Sequence, residues 1–400
     1  MMKRQRVAFI GNWNNLPFSI GFGLCNFLPG YSVRVVNTRK KPRNTPHFSG
    51  LEFNQTGSVL SAIDLDIETT QANVRQGKFV INSELLSTIT WADIIFVCGE
   101  MYYLALLVRD KPVIGIPIGF EFENFGNTDK ENEIPFRKAL ASCTGYLMRD
   151  DFTGFAREYF IKNGLEDRRL RYPSFPVPFE LAGLLMSAKG QRAQRMDYQY
   201  IFYATRITAD RGDIDSADNK GSSKFFKAIL PSVPFLKSNS IKLVVIDRDE
   251  TSRRVIEKIS PILGDVLITV PEQPYAGFLG LAANAILAID SFGAGGIPHG
   301  TTSDSLAVCT PVLSAFNFSN AESLSLVNHG LHKVVFDAAF DDYQDQELCL
   351  FRAVKAALEN KRPIYRDLRK SIDSSDKFTS DMQFTRKLGT YIGDLVEAFR

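Results

Sequence analysis

The sequence predicts an α/β protein built from two doubly wound, parallel-sheet domains. Three observations predict it. The chain is 400 residues long, whereas a single hydrophobic core stops growing at roughly 250–300 residues. Short apolar runs alternate with amphipathic stretches in both halves, which is the βαβ rhythm of a parallel sheet. Between the halves, Tyr172-Pro-Ser-Phe-Pro176-Val-Pro178 breaks both helix and strand, because proline fixes φ and has no amide donor. The boundaries that follow are 1–180 for a first domain, 181–199 for a linker, 200–380 for a second domain, and 381–400 for a C-terminal helix packing back on the first.

Composition excludes several classes. Hydrophobic residues make up 44% and charged residues 23% of the chain, the balance of a globular protein. A net charge of +2 gives no global field favouring nucleic acid or an anionic membrane. No run reaches the roughly 18 apolar residues of a membrane helix. The basic start at Met1-Met-Lys-Arg leads into a short strand, so no signal peptide is read there. The five cysteines are scattered and sit mostly among apolar residues. They read as reduced core residues, and the expected location is the cytoplasm.

In the first half, Arg6–Gly11 is a strand that runs into a Gly/Asn-rich turn. A helix from Ser19 ends at Pro29-Gly30, and Tyr31–Asn37 is a second strand. Gly21 and Gly23 suit close helix–sheet packing, or the approach of a ligand. The basic run Arg39-Lys-Lys-Pro-Arg43 reads as a solvated loop or as a contact for an anionic acceptor or membrane surface. Residues 44–90 are polar and poorly periodic, and are expected to be irregular with one or two helices. Trp91–Cys98, Pro112–Pro117 and Gly145–Arg149 read as strands, and Asp150–Asn163 as a helix. Glu121 and Glu123 follow the second of these strands, on the edge where open α/β sheets place ligands. Three nearby phenylalanines would raise their pKa values and suit a general base; pairing with surface cations is the plainer alternative.

The second half is more regular. Strands are expected at Tyr200–Thr205, Ile241–Ile246, Asp265–Val270, Ala285–Ile289, Pro311–Ala315 and Lys333–Phe336. Arg206 follows the first strand, and Lys220-Gly221-Ser222 opens the next helix after a polar insert at Ile207–Asn219. After Ala285–Ile289 comes a glycine-rich loop, then Gly300-Thr301-Thr302-Ser303-Asp304. Thr301, Thr302 and Ser303 are N-cap types, with Asp304 expected in the first helical turn. Free amides, hydroxyls and the positive helix end favour an anion there. Arg206 and Lys220 leave the same sheet edge, so a diphosphate is the expected ligand. Asp247-Arg-Asp249 has the spelling of a metal-binding motif but reads as a turn after a strand, and no metal site is expected. Glu347–Glu359, Ile364–Ser371 and Phe384–Arg400 read as helices, the last interrupted at Gly389.

These residues resemble the GT-B glycosyltransferases, whose two Rossmann-like domains face each other across a cleft. The pattern is most similar to the large retaining group, glycosyltransferase family 4, in which Arg…Lys-Gly is followed by two glutamates and Ala-x-Ala-Cys-Gly-Thr-Pro-Val. Asp304-Ser-Leu-Ala-Val-Cys-Thr310-Pro311-Val matches the part beginning at the second glutamate. Gly300-Thr301-Thr302 also resembles the diphosphate loop of O-linked N-acetylglucosaminyltransferases, which invert. The resemblance covers roughly residues 200–320. It implies a metal-independent transfer from a nucleotide-diphosphate sugar, with UDP the expected nucleotide and retention favoured over inversion. Arg206, Lys220, Gly300, Thr301 and Thr302 would hold the diphosphate, Asp304 the ribose, and Glu121 or Glu123 the acceptor hydroxyl. Gly296 stands where the first glutamate is expected, a departure at the donor-sugar contact. The implied acceptor is a glycan, a lipid-linked sugar or another polymer. The alternatives are a sugar-nucleotide epimerase of the same fold, a transferase acting on modified nucleic acid bases, and a non-catalytic sugar-nucleotide-binding protein.

Overall fold

The computed structural model describes residues 4–12, 16–37, 59–64, 81–117, 138–149, 155–172, 176–187, 196–207, 221–292, 300–316, 318–338, 343–360, 362–375 and 378–399. The chain divides into two compact units, Met1–Ser174 with Asp381–Arg400, and Phe175–Ser380.

The first unit holds a seven-stranded parallel sheet of order β3-β2-β1-β4-β5-β6-β7. Its strands are β1 (Gln5–Ile10), β2 (Tyr31–Asn37), β3 (Val59–Asp64), β4 (Ile94–Cys98), β5 (Val113–Ile116), β6 (Gly145–Arg149) and β7 (Arg169–Tyr172). The central strands are apolar throughout because helices cover both faces; every residue of β4 and β5 is buried. Two strands depart from the expected pattern. β3 lies in the stretch expected to be irregular, and β7 follows a helix where no strand is expected. Both are edge strands with mixed sequences, and pairing with β2 and β6 forms them rather than their own periodicity. Trp91 ends the Ser83–Trp91 helix instead of opening β4. That helix starts at Asn82, whose side chain accepts from the Leu85 amide at 2.8 Å.

The Asp381–Phe399 helix completes this unit by packing on the Leu16–Phe27 helix. Two glycines permit the approach: a Cβ at Gly23 would overlap the Thr385 hydroxyl, and one at Gly389 would meet Leu28 Cδ1 at 2.5 Å. Gly389 therefore does not interrupt the helix; it is the point where the helix passes over Leu28. Tyr391 Oη accepts from the Tyr146 amide at 3.2 Å and donates to the Arg168 carbonyl at 2.9 Å. One phenol thus fastens this helix at β6 and at the start of β7.

The second unit holds a six-stranded parallel sheet of order β10-β9-β8-β11-β12-β13. Its strands are β8 (Gln199–Tyr203), β9 (Ile241–Asp247), β10 (Leu267–Pro271), β11 (Leu287–Ile289), β12 (Val312–Ser314) and β13 (Val335–Asp337). Asp265 and Lys333 fall in 3-10 turns before their strands. Asp265 pairs there with Lys237 and Lys242, each at 3.3 Å. Beneath β8 and β11, Tyr203 packs on Phe225 with ring centroids 4.7 Å apart, and Phe225 on Phe292 at 5.7 Å. This aromatic group fixes the ends of the two central strands from below.

Candidate functional site

Strand order locates the candidate site. The second sheet runs outward in opposite directions from β8 and β11, so the crossovers after these strands leave on opposite faces. Open α/β sheets bind ligands in the crevice outside the carboxyl ends of such a pair. Register carries this to residues: Ile289 lies beside Tyr203 and Leu313 beside Ile289. The Ala204 amide donates to Ile289 O at 3.0 Å, and the Asp290 amide to Leu313 O at 3.0 Å. Ala204, Asp290 and Ser314 therefore stand level at the sheet edge.

A polar cluster fills that edge. Asp290, Ser291, Thr302, Ser303, Ser305 and Ser314 are all at most 2% exposed. Polar groups are tolerated at such depth only when hydrogen-bonded. Thr302 Oγ1 donates to Asp290 Oδ2 at 2.6 Å, a short bond of the kind a carboxylate makes. The Ser291 and Ser314 hydroxyls are 2.9 Å apart. Ser305 Oγ donates to Thr301 O at 2.8 Å.

The helix spans Gly300–Ala307, so it includes all three residues that the cap pattern placed before it. Thr301, Thr302 and Ser303 thus occupy its first turn, and Asp304 lies beyond it. Thr302 is wholly buried and donates its hydroxyl proton to Asp290, so it joins the helix to the end of β11. Thr301 is partly exposed. Nothing described lies within 4 Å of a Cβ built on Gly300. Asp304 Oδ1 accepts from the Tyr275 hydroxyl at 2.6 Å. Burial pushes the Asp304 carboxyl up to about 7, against the downward pull of the Tyr275 bond; the charge of Asp290 adds to the rise.

Arg206 follows β8 with its side chain about half exposed, and its Nη2 lies 3.0 Å from Asp249 Oδ2. Asp249 is the N-cap of the Glu250–Leu263 helix, and its carboxylate also accepts from the Ser252 amide at 2.9 Å. Burial raises the Asp249 pKa, but the Ser252 bonds and the charge and hydrogen bond of Arg206 outweigh it and hold it below its ordinary value. Asp247-Arg-Asp249 is thus a helix-capping turn. Arg248 reaches back from it to donate to Ala204 O at 2.9 Å.

Gly221 has φ +66°, and a Cβ there would overlap the Phe292 carbonyl oxygen. Only glycine fits this contact. The next residue, Ser222, accepts from the Tyr203 hydroxyl at 2.9 Å. The helix after β8 therefore starts pressed against the segment after β11.

The expected site residues are only partly brought together. Thr302 meets Asp290, Asp304 meets Tyr275, and Arg206 meets Asp249. No hydrogen bond or ion pair joins Arg206 to Thr301, Thr302 or Asp304 among the described residues. Lys220, Glu121, Glu123, Gly296 and the Arg39–Arg43 run lie outside the described residues. Tyr275, Asp290, Ser291 and Ser314 are additions that the sequence reading did not single out. The signal available for Asp290-Ser291 was a polar pair directly after an apolar strand. Among the described residues, no group of three or more His, Cys, Asp or Glu side chains is arranged to hold a metal ion. No described helix is long and apolar enough to cross a membrane.

No family model matches the chain, and no curated protein sequence matches it. Solved structures do. The chain is similar to an alpha,alpha-trehalose 6-phosphate synthase from Burkholderia multivorans, with 11% identity, a TM-score of 0.55 and all of both chains covered. It is similar to the UDP-GlcNAc 2-epimerase of Methanocaldococcus jannaschii solved with UDP-GlcNAc and UDP, with 14% identity and a TM-score of 0.52, covering 97% of this chain and 99% of that one. WaaG, a glycosyltransferase involved in lipopolysaccharide biosynthesis, matches with 14% identity and a TM-score of 0.54, covering 95% and 98%. With its two all-parallel sheets, the chain has the GT-B fold that these glycosyltransferases and epimerases share.

Proposed function

We propose that the chain is a glycosyltransferase that takes a sugar from a nucleoside diphosphate sugar, with UDP the favoured nucleotide, and passes it to a hydroxyl acceptor. The observation that carries this reading is the buried polar cluster at the carboxyl edge of β8, β11 and β12, with a helix starting at Gly300 braced onto it through Thr302 and Asp290. Fold similarity to the Methanocaldococcus enzyme solved with UDP-GlcNAc and UDP supports the substrate class.

In this reading, Thr301 and the backbone at the start of the Gly300–Ala307 helix receive the diphosphate. Arg206 and Lys220 neutralise the charge that develops as it leaves, which is the main catalytic task in such a transfer. Arg206 is held ready by Asp249 and exchanges that partner for phosphate oxygens. Thr302 acts one step behind, as a brace. Asp304 accepts from ribose hydroxyls, and Glu121 or Glu123 faces the acceptor as general base if the reaction inverts. Retention, as in family 4, remains the favoured outcome. A metal-free reaction is expected, and activity unchanged by EDTA is its test. The acceptor is expected to be a glycan or lipid-linked sugar, with Arg39–Arg43 available for an anionic surface.

The experiment is calorimetry with UDP, GDP, ADP and TDP, followed by assays with the sugar conjugate of whichever binds. Transfer, or slow hydrolysis releasing the nucleoside diphosphate, supports the reading. Absence of binding by every nucleotide overturns it. A second reading, sugar-nucleotide epimerase, draws on similarity to the Methanocaldococcus enzyme at the same level of identity as WaaG. It predicts that the donor sugar isomerises with no acceptor present.

A further inference from the structure

Tyr275 opens the Tyr275–Asn284 helix directly after Pro274, and it is 5% exposed. Proline before a helix presets the backbone at its entry, so this side chain starts from a constrained position. The helix packs on the Gly300–Ala307 helix. The far ends of the pair are fastened as well, because Thr310 Oγ1 donates to Ala282 O at 2.7 Å. Between them the Tyr275 hydroxyl donates to Asp304 Oδ1 at 2.6 Å. Asp304 Oδ2 has no hydrogen-bond partner among the described residues, and the residue is partly exposed.

We propose that Tyr275 is a positioning residue for nucleotide recognition: its hydroxyl holds one oxygen of Asp304 so that the other is presented to the vicinal hydroxyl pair of a nucleoside. This inference rests on the ribose role assigned to Asp304 above. Two ribose hydroxyls need a carboxylate, which only accepts; a protonated acid would spend one oxygen as a donor. The surroundings of Asp304 make that requirement acute. Burial pushes its pKa up to about 7, Tyr275 is the group that pulls it down, and Asp290 pushes it up. From the other packed elements, β12 contributes no charged group. The Phe179–Ser187 helix carries Glu180, which is engaged by Arg369. Tyr275 is therefore both the geometric anchor and the counterweight to burial.

The test is calorimetry of UDP and 2′,3′-dideoxy-UDP, from about pH 5.5 to about pH 8.5, on the full chain and on Tyr275→Phe, Tyr275→Gln and Asp304→Ala. The wild type is expected to prefer UDP by roughly 10-fold or more at the alkaline end, as befits hydrogen bonds to a charged group. The preference should fall as pH drops through about 7. In Y275F the preference is expected to shrink by about 3-fold or more near neutrality, with the midpoint displaced to higher pH. Y275Q, which keeps a donor, should recover part of both. Equal preference and an equal midpoint in Y275F and wild type overturn the inference. So does equal loss in Y275F and Y275Q, which marks packing rather than the donated bond. If Y275F does not fold, Y275Q against Tyr275→Leu reads the same contrast. Asp304→Ala separates the two claims: if it keeps the preference for UDP, the ribose reading itself falls.

Discussion

The two sheets share one strand order through their first six strands and differ at the edge where that order reverses. In the first unit, β1 runs into Gly11, at φ +89°, where a Cβ would lie 2.7 Å from Cys98 O at the end of β4. Asn12 then accepts from the Phe18 amide at 3.2 Å, and β4 continues into a 3-10 turn that buries Met101 and Tyr102. In the second unit, Gly221 is pressed in the same way on Phe292 O after β11. There, however, the edge carries Asp290, Ser291, Thr302 and Ser314, all buried, and the half-exposed Arg206 follows the adjacent strand β8. A glycine closes the central strand pair in both units, but only the second surrounds it with hydroxyls and carboxylates among the described residues. Among the described residues, one topology thus carries two differently furnished edges, and the chemistry lies in side chains that topology does not dictate.

The sharpest way to break this comparison is to fill the two glycines. Gly221→Ala combines a left-handed backbone with overlap of a carbonyl oxygen, and should lose more than about 4 kcal/mol in urea unfolding. It should lose nucleotide affinity too. Gly11→Ala should lose about 2 kcal/mol and keep its affinity. Similar affinity losses in both would remove the distinction between the edges.

Next in size is a pH effect confined to the second unit. Asp304 has a folded pKa of about 7 against an ordinary 3.8. The native state therefore holds more protons than the unfolded chain between those values, and stability falls as pH rises through that window. Asp304→Asn escapes the loss. Its advantage over wild type should grow from about pH 4 to about pH 7, reach on the order of 4 kcal/mol, and stay flat above. A constant difference across pH would show that burial is not what governs this carboxyl.

Thr302→Val keeps the shape and removes the bond to a buried carboxylate, so a cost of about 2 kcal/mol is expected by thermal unfolding. The smallest effect belongs to Arg206→Ala. Its exposed pair with Asp249 should contribute under about 1 kcal/mol to stability, while nucleotide affinity drops by about 10-fold or more through loss of a charge-assisted phosphate contact. Unchanged affinity would remove Arg206 from the site.

The central strands were readable because burial on both faces leaves an apolar run whatever the neighbours are. Strands β3 and β7 were not, since an edge strand takes its structure from one partner and its sequence is free to be polar. The glycine-rich stretch and its helix were readable from turn and cap residues. The direction of each side chain was not. Thr302 looked like a phosphate donor by type, and the structure commits its hydroxyl to Asp290, 12 residues away. Tyr275 escaped notice because its partner is 29 residues off, across a helix–helix contact. Cap patterns are local and are legible; a carboxylate's partners are tertiary and are not.

The Asp381–Phe399 helix has a consequence for how the chain acquires its shape. The Leu16–Phe27 helix precedes the second unit in the chain, yet Thr385 and Gly389, which cover it, are made after the whole of that unit. Tyr391 reaches Tyr146 across 245 residues. At roughly 5–20 residues per second, that interval lasts many seconds, during which the first unit carries an uncovered apolar helix. The first unit is thereby begun before the second and completed only after the last residue of the second has been made.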